Sequence, residues 1–506
     1  MPYPSLLWKR PLGNREEADE RKIPENVMRD LYLNEELRPR TLEILGYPCS
    51  REEIPMRQNV FAYLLGSGER IGEFCILREK LEEFGRLAGR LERAESEYEK
   101  VLLFLTVMKH YFECAGMWSV YAALDNRVGE AARYFKSQMD EEKIGEARRK
   151  CEEILSRRPT DMSLTVRGGQ SYATENRKPK RSAIEEIFVR MGLDEAVPPE
   201  KHPAFAIPEI TRAFCEVYPG YYESVKSYYN RYAQDFLGGE LDVRACEKYT
   251  EEISFYADTV QYFEKLKEAG CPLCYPTLSD ERMVELDMAG DPSLLRRGLT
   301  WDKIVANDVR MYAEKGEERL NFFILSGANG GGKTTYLRSC GIAVLFFITG
   351  CPVAAKSGRM YPFDSLYTHF PADESFDTGG RFVNEAERAD EILSKATADS
   401  FVLFNETYSG TDEKKSEDYA SRLAETLYSR GVFGIFVTHI HALTGGKIPT
   451  LAPVIDESDE NRRTYRIRRV GGTDSSFAAD ILAKYGLDKA SLKHRLAAFG
   501  KEEQHG

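Results

Sequence analysis

The residues best suited to chemistry gather at 323–340, FILSGANGGGKTTYLRSC. An apolar run, Phe323-Ile324-Leu325, gives way to glycines and then to a stretch that reads as a helix. The spacing Gly327-Ala328-Asn329-Gly330-Gly331-Gly332-Lys333-Thr334 fits G-x-x-x-x-G-K-[ST], a loop that cradles the phosphates of a nucleoside triphosphate. Glycines let backbone N–H groups turn inward with no Cβ in the way. The helix that follows offers unpaired amides and a positive dipole end to the anion. Lys333 is expected to reach the β- and γ-phosphates and Thr334 to ligate Mg²⁺, with Thr335 beside it. A second apolar run, FVLF at 401–404, ends in Asn405-Glu406. Glu406 is the candidate to align or deprotonate an attacking water, and Asn405 the candidate for the Mg²⁺ shell through water. A third run, FGIFV at 433–437, ends in Thr438-His439, where an imidazole can hydrogen-bond a γ-phosphate or its water.

These positions need strands that end together and a helix behind the loop. From about residue 275, short apolar segments alternate with helical ones, the pattern of an α/β sheet. Residues 1–270 read instead as mostly helical. Leu77, Leu81, Phe84, Leu87 and Leu91 recur at three and four within an almost unbroken pattern from Arg70 to Leu124, with Gly85 and Gly89 inside it. A second helical stretch covers Glu130 to Leu155, and MSLTVRGG (162–169) reads as a short strand. GQSYATENRKPKRS (169–182) reads as an exposed loop, a solvated linker or a phosphate-contacting tip through Arg177, Lys178, Lys180 and Arg181. The Tyr- and Phe-rich helices after residue 210 read as core.

Composition narrows the class. At 506 residues, two to four domains are expected. The net charge of −12 argues mildly against a surface wholly devoted to nucleic acid, without excluding a local basic track. No apolar run approaches the ~18 residues of a membrane span, and the N-terminus lacks the pattern of a secretory signal, so the expected compartment is the cytoplasm. Ten cysteines are scattered in apolar segments, as reduced thiols are, and Cys271/Cys274 form a lone CxxC without a second pair.

Six motifs in register resemble the MutS superfamily of DNA mismatch repair ATPases. SGANGGGKTTYLRS is similar to that family's TGPNMGGKSTYLRQ, and FVLFNETYSGT to its strand ending D-E-x-G-R-G-T. GCPVAAKSGRMYPFDSLYTHF, GGRFVNEAERADEILSKA, FVTHIHALT and TYRIRRVGGTDSSFAADILAKYGL resemble the segments around them. KIVANDVRM resembles the F-V-x-N-D segment beside the adenine, which places Ile304 and Val305 there. The resemblance implies a mostly α-helical core and lever region at 1–274, with a clamp or loop insertion around 130–200. It implies an ABC-type α/β P-loop NTPase domain at 275–495 and a polar tail at 496–506. It also implies ATP and Mg²⁺ as ligands, a homodimer through the ATPase domains, and DNA as partner.

The chain departs from the family in places. Asn405 stands where an aspartate is usual, giving up roughly 1–4 kcal/mol of attraction for the cation at ~4 Å. Gly379-Gly380-Arg381 replace Ser-Thr in the signature segment, and Tyr408-Ser409-Gly410 replace Gly-Arg-Gly. No counterpart of the family's N-terminal mismatch-reading domain is expected in this sequence, so a junction, branch or recombination intermediate is the expected DNA. The alternative is a nucleotide-gated dimeric interaction module with weak or no DNA binding. A transporter-type ATPase shares the phosphate loop but is not supported, since the sequence shows neither a membrane partner segment nor an LSGGQ-like stretch.

Overall fold

The computed structural model describes residues 4–9, 22–159, 162–167, 170–175, 214–238, 245–371, 378–408, 413–455 and 463–470. Helices dominate the first half: α1 (Glu25–Asp30), α2 (Pro39–Leu45), α3 (Glu53–Leu64), α4 (Gly68–Arg93), α5 (Glu97–Ser119), α6 (Arg127–Met139) and α7 (Glu142–Ser156). The hairpin β1 (Met162–Arg167) and β2 (Gln170–Glu175) follows, then α8 (Pro219–Phe236) and α9 (Ala245–Glu268). In α4 Leu77, Leu81, Phe84 and Leu91 are buried on one stripe as the spacing predicts, but Ala88 fills the place expected of Leu87, which is only half-buried. Gly85 and Gly89 do not interrupt it. The break comes at Ala94, which turns extended (φ −66°, ψ 128°), and Ser96 takes the extended backbone from which α5 starts. The almost unbroken pattern is thus two helices, divided at Ala94–Ser96 and not at the glycines. A second difference is Gln170–Glu175, which is a strand paired with β1 and not part of a loop. Arg177, Lys178, Lys180 and Arg181 lie outside the described residues.

By its contacts the chain divides into two units. One comprises Met1–Arg15, Leu37–Ile44 and Glu52–Glu264. Its centre is aromatic, as the sequence suggested. Trp118 stacks on Phe135 at 5.5 Å, and Phe61 packs against Phe255, Tyr256 and Phe263. The buried carboxylate of Glu252 accepts from the Ser5 hydroxyl and the Leu6 amide, both at 2.6 Å, and so ties down the segment at 4–9.

The other unit comprises Glu16–Glu36, Leu45–Arg51 and Lys265–Gly506. Its strands are β3 (Thr277–Leu278), β4 (Met283–Ala289), β5 (Asn307–Lys315), β6 (Glu318–Leu320), β7 (Phe322–Leu325), β8 (Ser357–Met360), β9 (Ser365–His369), β10 (Ser400–Asn405), β11 (Phe433–Val437), β12 (Thr450–Ile455) and β13 (Arg463–Arg469). Between them run α10 (Lys333–Ile348), α11 (Thr378–Lys395) and α12 (Glu413–Ser429). One sheet has the order β13-β12-β7-β11-β10-β9, parallel except for the antiparallel pair of β12 and β13. FFIL, SFVLFN and FGIFV are buried along their whole length, which is why they read as unbroken apolar runs. The second sheet, β3-β8-β4-β5-β6, is mostly antiparallel. Two first-half segments belong to this unit. Asn26 of α1 donates to the backbone and hydroxyl of Thr368 in β9 at 3.0 Å, and the Thr368 hydroxyl donates to Asp30 at 2.7 Å. Burial pushes the thiols of Cys271 and Cys274 up to about 12 and about 11. Among the described residues no helix is long and apolar enough to cross a membrane.

Candidate nucleotide site

Strand β7 delivers the chain to the glycine loop, and α10 begins at Lys333 with Gly332 as its N-cap. Gly327, Gly330 and Gly332 have φ of 142°, 71° and 89°, a region side chains other than glycine's enter only with strain. Space is tight as well. A Cβ on Gly327 would lie 2.7 Å from Cδ of Pro453 in β12. Ala328, Asn329 and Gly330 are exposed at the loop's tip. The side chain of Lys333 is folded into the loop, where its Nζ donates to the carbonyls of Gly327 (2.7 Å) and Ala328 (3.2 Å). Burial holds its pKa below the usual lysine value, against the pull of Glu406 in the other direction. A desolvated ammonium beside inward-facing backbone is a fitting seat for a polyanion. Thr334 and Thr335 are half-buried in the first turn.

The second and third candidate segments come to the same place. The Thr334 hydroxyl donates to Asn405 Oδ1 at 3.3 Å, which joins the two groups expected around Mg²⁺. Glu406 follows directly with φ 53°, a left-handed position rare for a residue with a Cβ. Its amide donates to the carbonyl of Val437 in β11 at 2.9 Å. Its carboxylate accepts from Nε2 of His439 at 2.8 Å. Both side chains stay partly open to solvent, with 34% and 42% exposed. The arrangement offers an oriented carboxylate that can take a proton, directly after the Asn405 that contacts Thr334 of the glycine loop's helix.

Several neighbours carried no sequence signal that pointed here. Arg463 of β13 donates to the carbonyl of Gly330 at 3.0 Å. Tyr465, left-handed at φ 54° and 46% exposed, lies over Gly332, its Cδ1 3.3 Å from where a Cβ would be. Asn307 holds that strand in place, since its side chain donates to the Tyr465 carbonyl (3.1 Å) and accepts from the Ile467 amide (2.8 Å). Asn307 lies in the segment quoted for the adenine, so the signal existed without the role. Ile304, in the same segment, is buried next to Gly290. Gly379-Gly380-Arg381 form the first turn of α11, and Ser409 and Gly410 lie outside the described residues.

Behind the acid pair, Thr407 and Tyr408 are held from two sides. His369, at the end of β9, has Nδ1 2.9 Å from the Thr407 hydroxyl and Nε2 3.1 Å from the carbonyl of Glu385 in α11. The Glu385 carboxylate accepts from the Tyr408 amide at 3.1 Å.

Comparison with known proteins finds relatives for this part of the chain. The family model for MutS domain V matches residues 323–463, a span running from β7 into the start of β13. The chain is 28% identical over 251 residues to the DNA mismatch repair protein MutS of Microcystis aeruginosa, covering 46% of this chain and 27% of that one. It is 25% identical over 277 residues to the endonuclease MutS2 of Lactococcus lactis, covering 53% and 34%. It is 37% identical over 124 residues to the mitochondrial DNA mismatch repair protein MSH1 of Arabidopsis thaliana, covering 24% and 11%. The matches span about a third or less of the length of these curated relatives. Residues 323–463 thus match MutS domain V, and about half of the chain is similar to MutS and MutS2 proteins.

Proposed function

We propose that the protein binds and hydrolyses ATP with Mg²⁺, and uses the cycle to switch a homodimeric clamp on DNA. The observation that carries the hydrolytic part is the Glu406–His439 contact at 2.8 Å, beside the Thr334–Asn405 pair. Lys333 and the amides of 327–335 hold the phosphates, and Ile304 borders the adenine through segment 304–308. Mg²⁺, when bound, neutralises phosphate charge, with Thr334 as ligand and Asn405 acting through water. Glu406 takes the proton of the attacking water, and His439 keeps its carboxylate aimed. Mismatch-repair relatives support DNA as the partner, and the family's dimer supports the homodimer. The helical first unit supports a core and lever region up to about residue 274, ahead of the ATPase domain.

A gel-shift panel of duplex, mismatched, forked and four-way-junction DNA, with and without ATP, tests the partner. Preferential binding to a branched form is expected. Binding to none of the four favours an interaction module that acts on proteins. Sedimentation with and without ATP tests the dimer, and a single monomeric species in both overturns it.

A further inference from the structure

We propose that His369, Thr407 and Glu385 form a clamp that positions Glu406 for hydrolysis and links its loop to α11. This rests on the reading of Glu406 as the group that handles water, and adds what holds it there. Residues 406 and 408 both occupy the left-handed region, with φ of 53° and 68°. Two such residues so close together keep their conformation only if their surroundings over-determine it. The supports can be named. A carbonyl only accepts, so at 3.1 Å from the Glu385 carbonyl His369 Nε2 carries the proton, and Nδ1 is left to accept from the Thr407 hydroxyl at 2.9 Å. Burial, reinforced by Arg388, holds the ring's pKa below the ordinary histidine value, consistent with a neutral donor–acceptor bridge. The ring also stacks on Phe404, two residues before Glu406, at 5.8 Å and 25°. Glu385, itself buried, takes the Tyr408 amide on its carboxylate. The Tyr408 carbonyl accepts from Ser416 of α12 at 2.7 Å.

Both Glu385 contacts therefore bear on the residues one and two past Glu406, one through His369 and one directly, so the three side chains act through Glu406. They are positioning residues. A shift of α11 moves the carboxylate without moving Lys333, whose loop is built from other segments.

The test uses the full chain with four variants: Thr407→Val, Thr407→Ser, His369→Ala and, as reference, Glu406→Gln. Valine matches threonine in shape but removes the hydroxyl, so Thr407→Val keeps the test alive if His369→Ala fails to fold, and melting curves show which variants are folded. Steady-state ATPase gives kcat and KM, and a fluorescent ATP analogue gives Kd. The clamp predicts that Thr407→Val lowers kcat about ten- to a hundredfold with Kd changed less than about twofold, the cost of a small misplacement of a reacting group. Thr407→Ser should recover most of that loss. Unchanged kcat in Thr407→Val overturns the clamp, provided Glu406→Gln has lost hydrolysis. If Glu406→Gln hydrolyses normally, the role of Glu406 itself falls and the clamp falls with it, so the two failures are told apart.

Discussion

Replacing Glu406 with glutamine, alanine and glycine separates its chemistry from its backbone. Glutamine keeps the oxygen that accepts from His439 but cannot take a proton, so hydrolysis should fall about 10²–10⁴-fold, the usual share of a general base. Nucleotide affinity should hold, because Lys333 and the glycine loop are untouched. Alanine and glycine remove the carboxylate entirely, and both should be as slow. Their stabilities should differ in an unusual direction. Glycine in place of alanine normally destabilises by about 0.5–1 kcal/mol. At φ 53° a Cβ costs roughly 1–2 kcal/mol, which glycine avoids. The net expectation is that Glu406→Gly exceeds Glu406→Ala by about 1 kcal/mol, or ~2–4 °C for a unit of this size. The melting transition to follow is the one that ATP with Mg²⁺ raises, and the slow variants allow it to be read without turnover. If alanine proves more stable than glycine, the left-handed position is absent in solution. If glutamine hydrolyses at the parent rate, another group handles the water.

Three further outcomes follow from the same geometry. Lys333→Ala removes the ammonium seated on the Gly327 and Ala328 carbonyls, and should weaken ATP binding roughly a hundredfold or more by calorimetry. Asn405→Asp restores a charge next to Thr334, and should tighten the apparent Mg²⁺ affinity by roughly 1–4 kcal/mol in a metal titration of the ATPase rate. In the helical unit, burial raises Glu252 from 4.5 to about 7, against the hydrogen bonds from Ser5 and Leu6. The folded form thus keeps its proton to higher pH than the unfolded chain. The contribution is full below about pH 4.5 and is lost as pH rises through about 7, some 3 kcal/mol at ~1.4 kcal/mol per unit. Glu252→Gln should flatten that slope in melting curves taken from pH 5 to 8, since its amide still serves both partners.

The strands and the loop were legible because their causes are local. FFIL, FVLF and FGIFV are apolar on both faces since both faces are covered, and the glycines mark the positive φ values that the loop adopts. Glu406 and His439 each read as residues ending an apolar strand, but their contact depends on β10 and β11 being neighbours in one parallel sheet, which the apolar runs do not specify. What stayed hidden depends on long-range packing. Nothing around Tyr465 or Arg463 says that a hairpin more than a hundred residues onward will fold over the loop. His369 ends the strand SLYTH, within a segment quoted only for its resemblance, and nothing there marks the histidine. Its meaning comes from Thr407 and Glu385, each unremarked in its own segment. The break at Ala94 escaped notice for the opposite reason. The apolar spacing continues through it, and the glycines that looked like breakers face open space or a neighbour in their own helix.

The tie between α1 and β9 reaches into biosynthesis. Asn26 and its partner Thr368 are separated by 342 residues. At a translation speed of ~5–20 residues per second, α1 leaves the ribosome roughly 20–70 seconds before the strand it pairs with has been made. For most of that interval Val27, Met28 and Leu31, all buried in the finished protein, lack second-half neighbours such as Gly341 of α10, which lies against Leu31. A nascent chain stalled before residue 368 should therefore expose this short apolar segment to chaperones, whereas one stalled beyond the last strand should not.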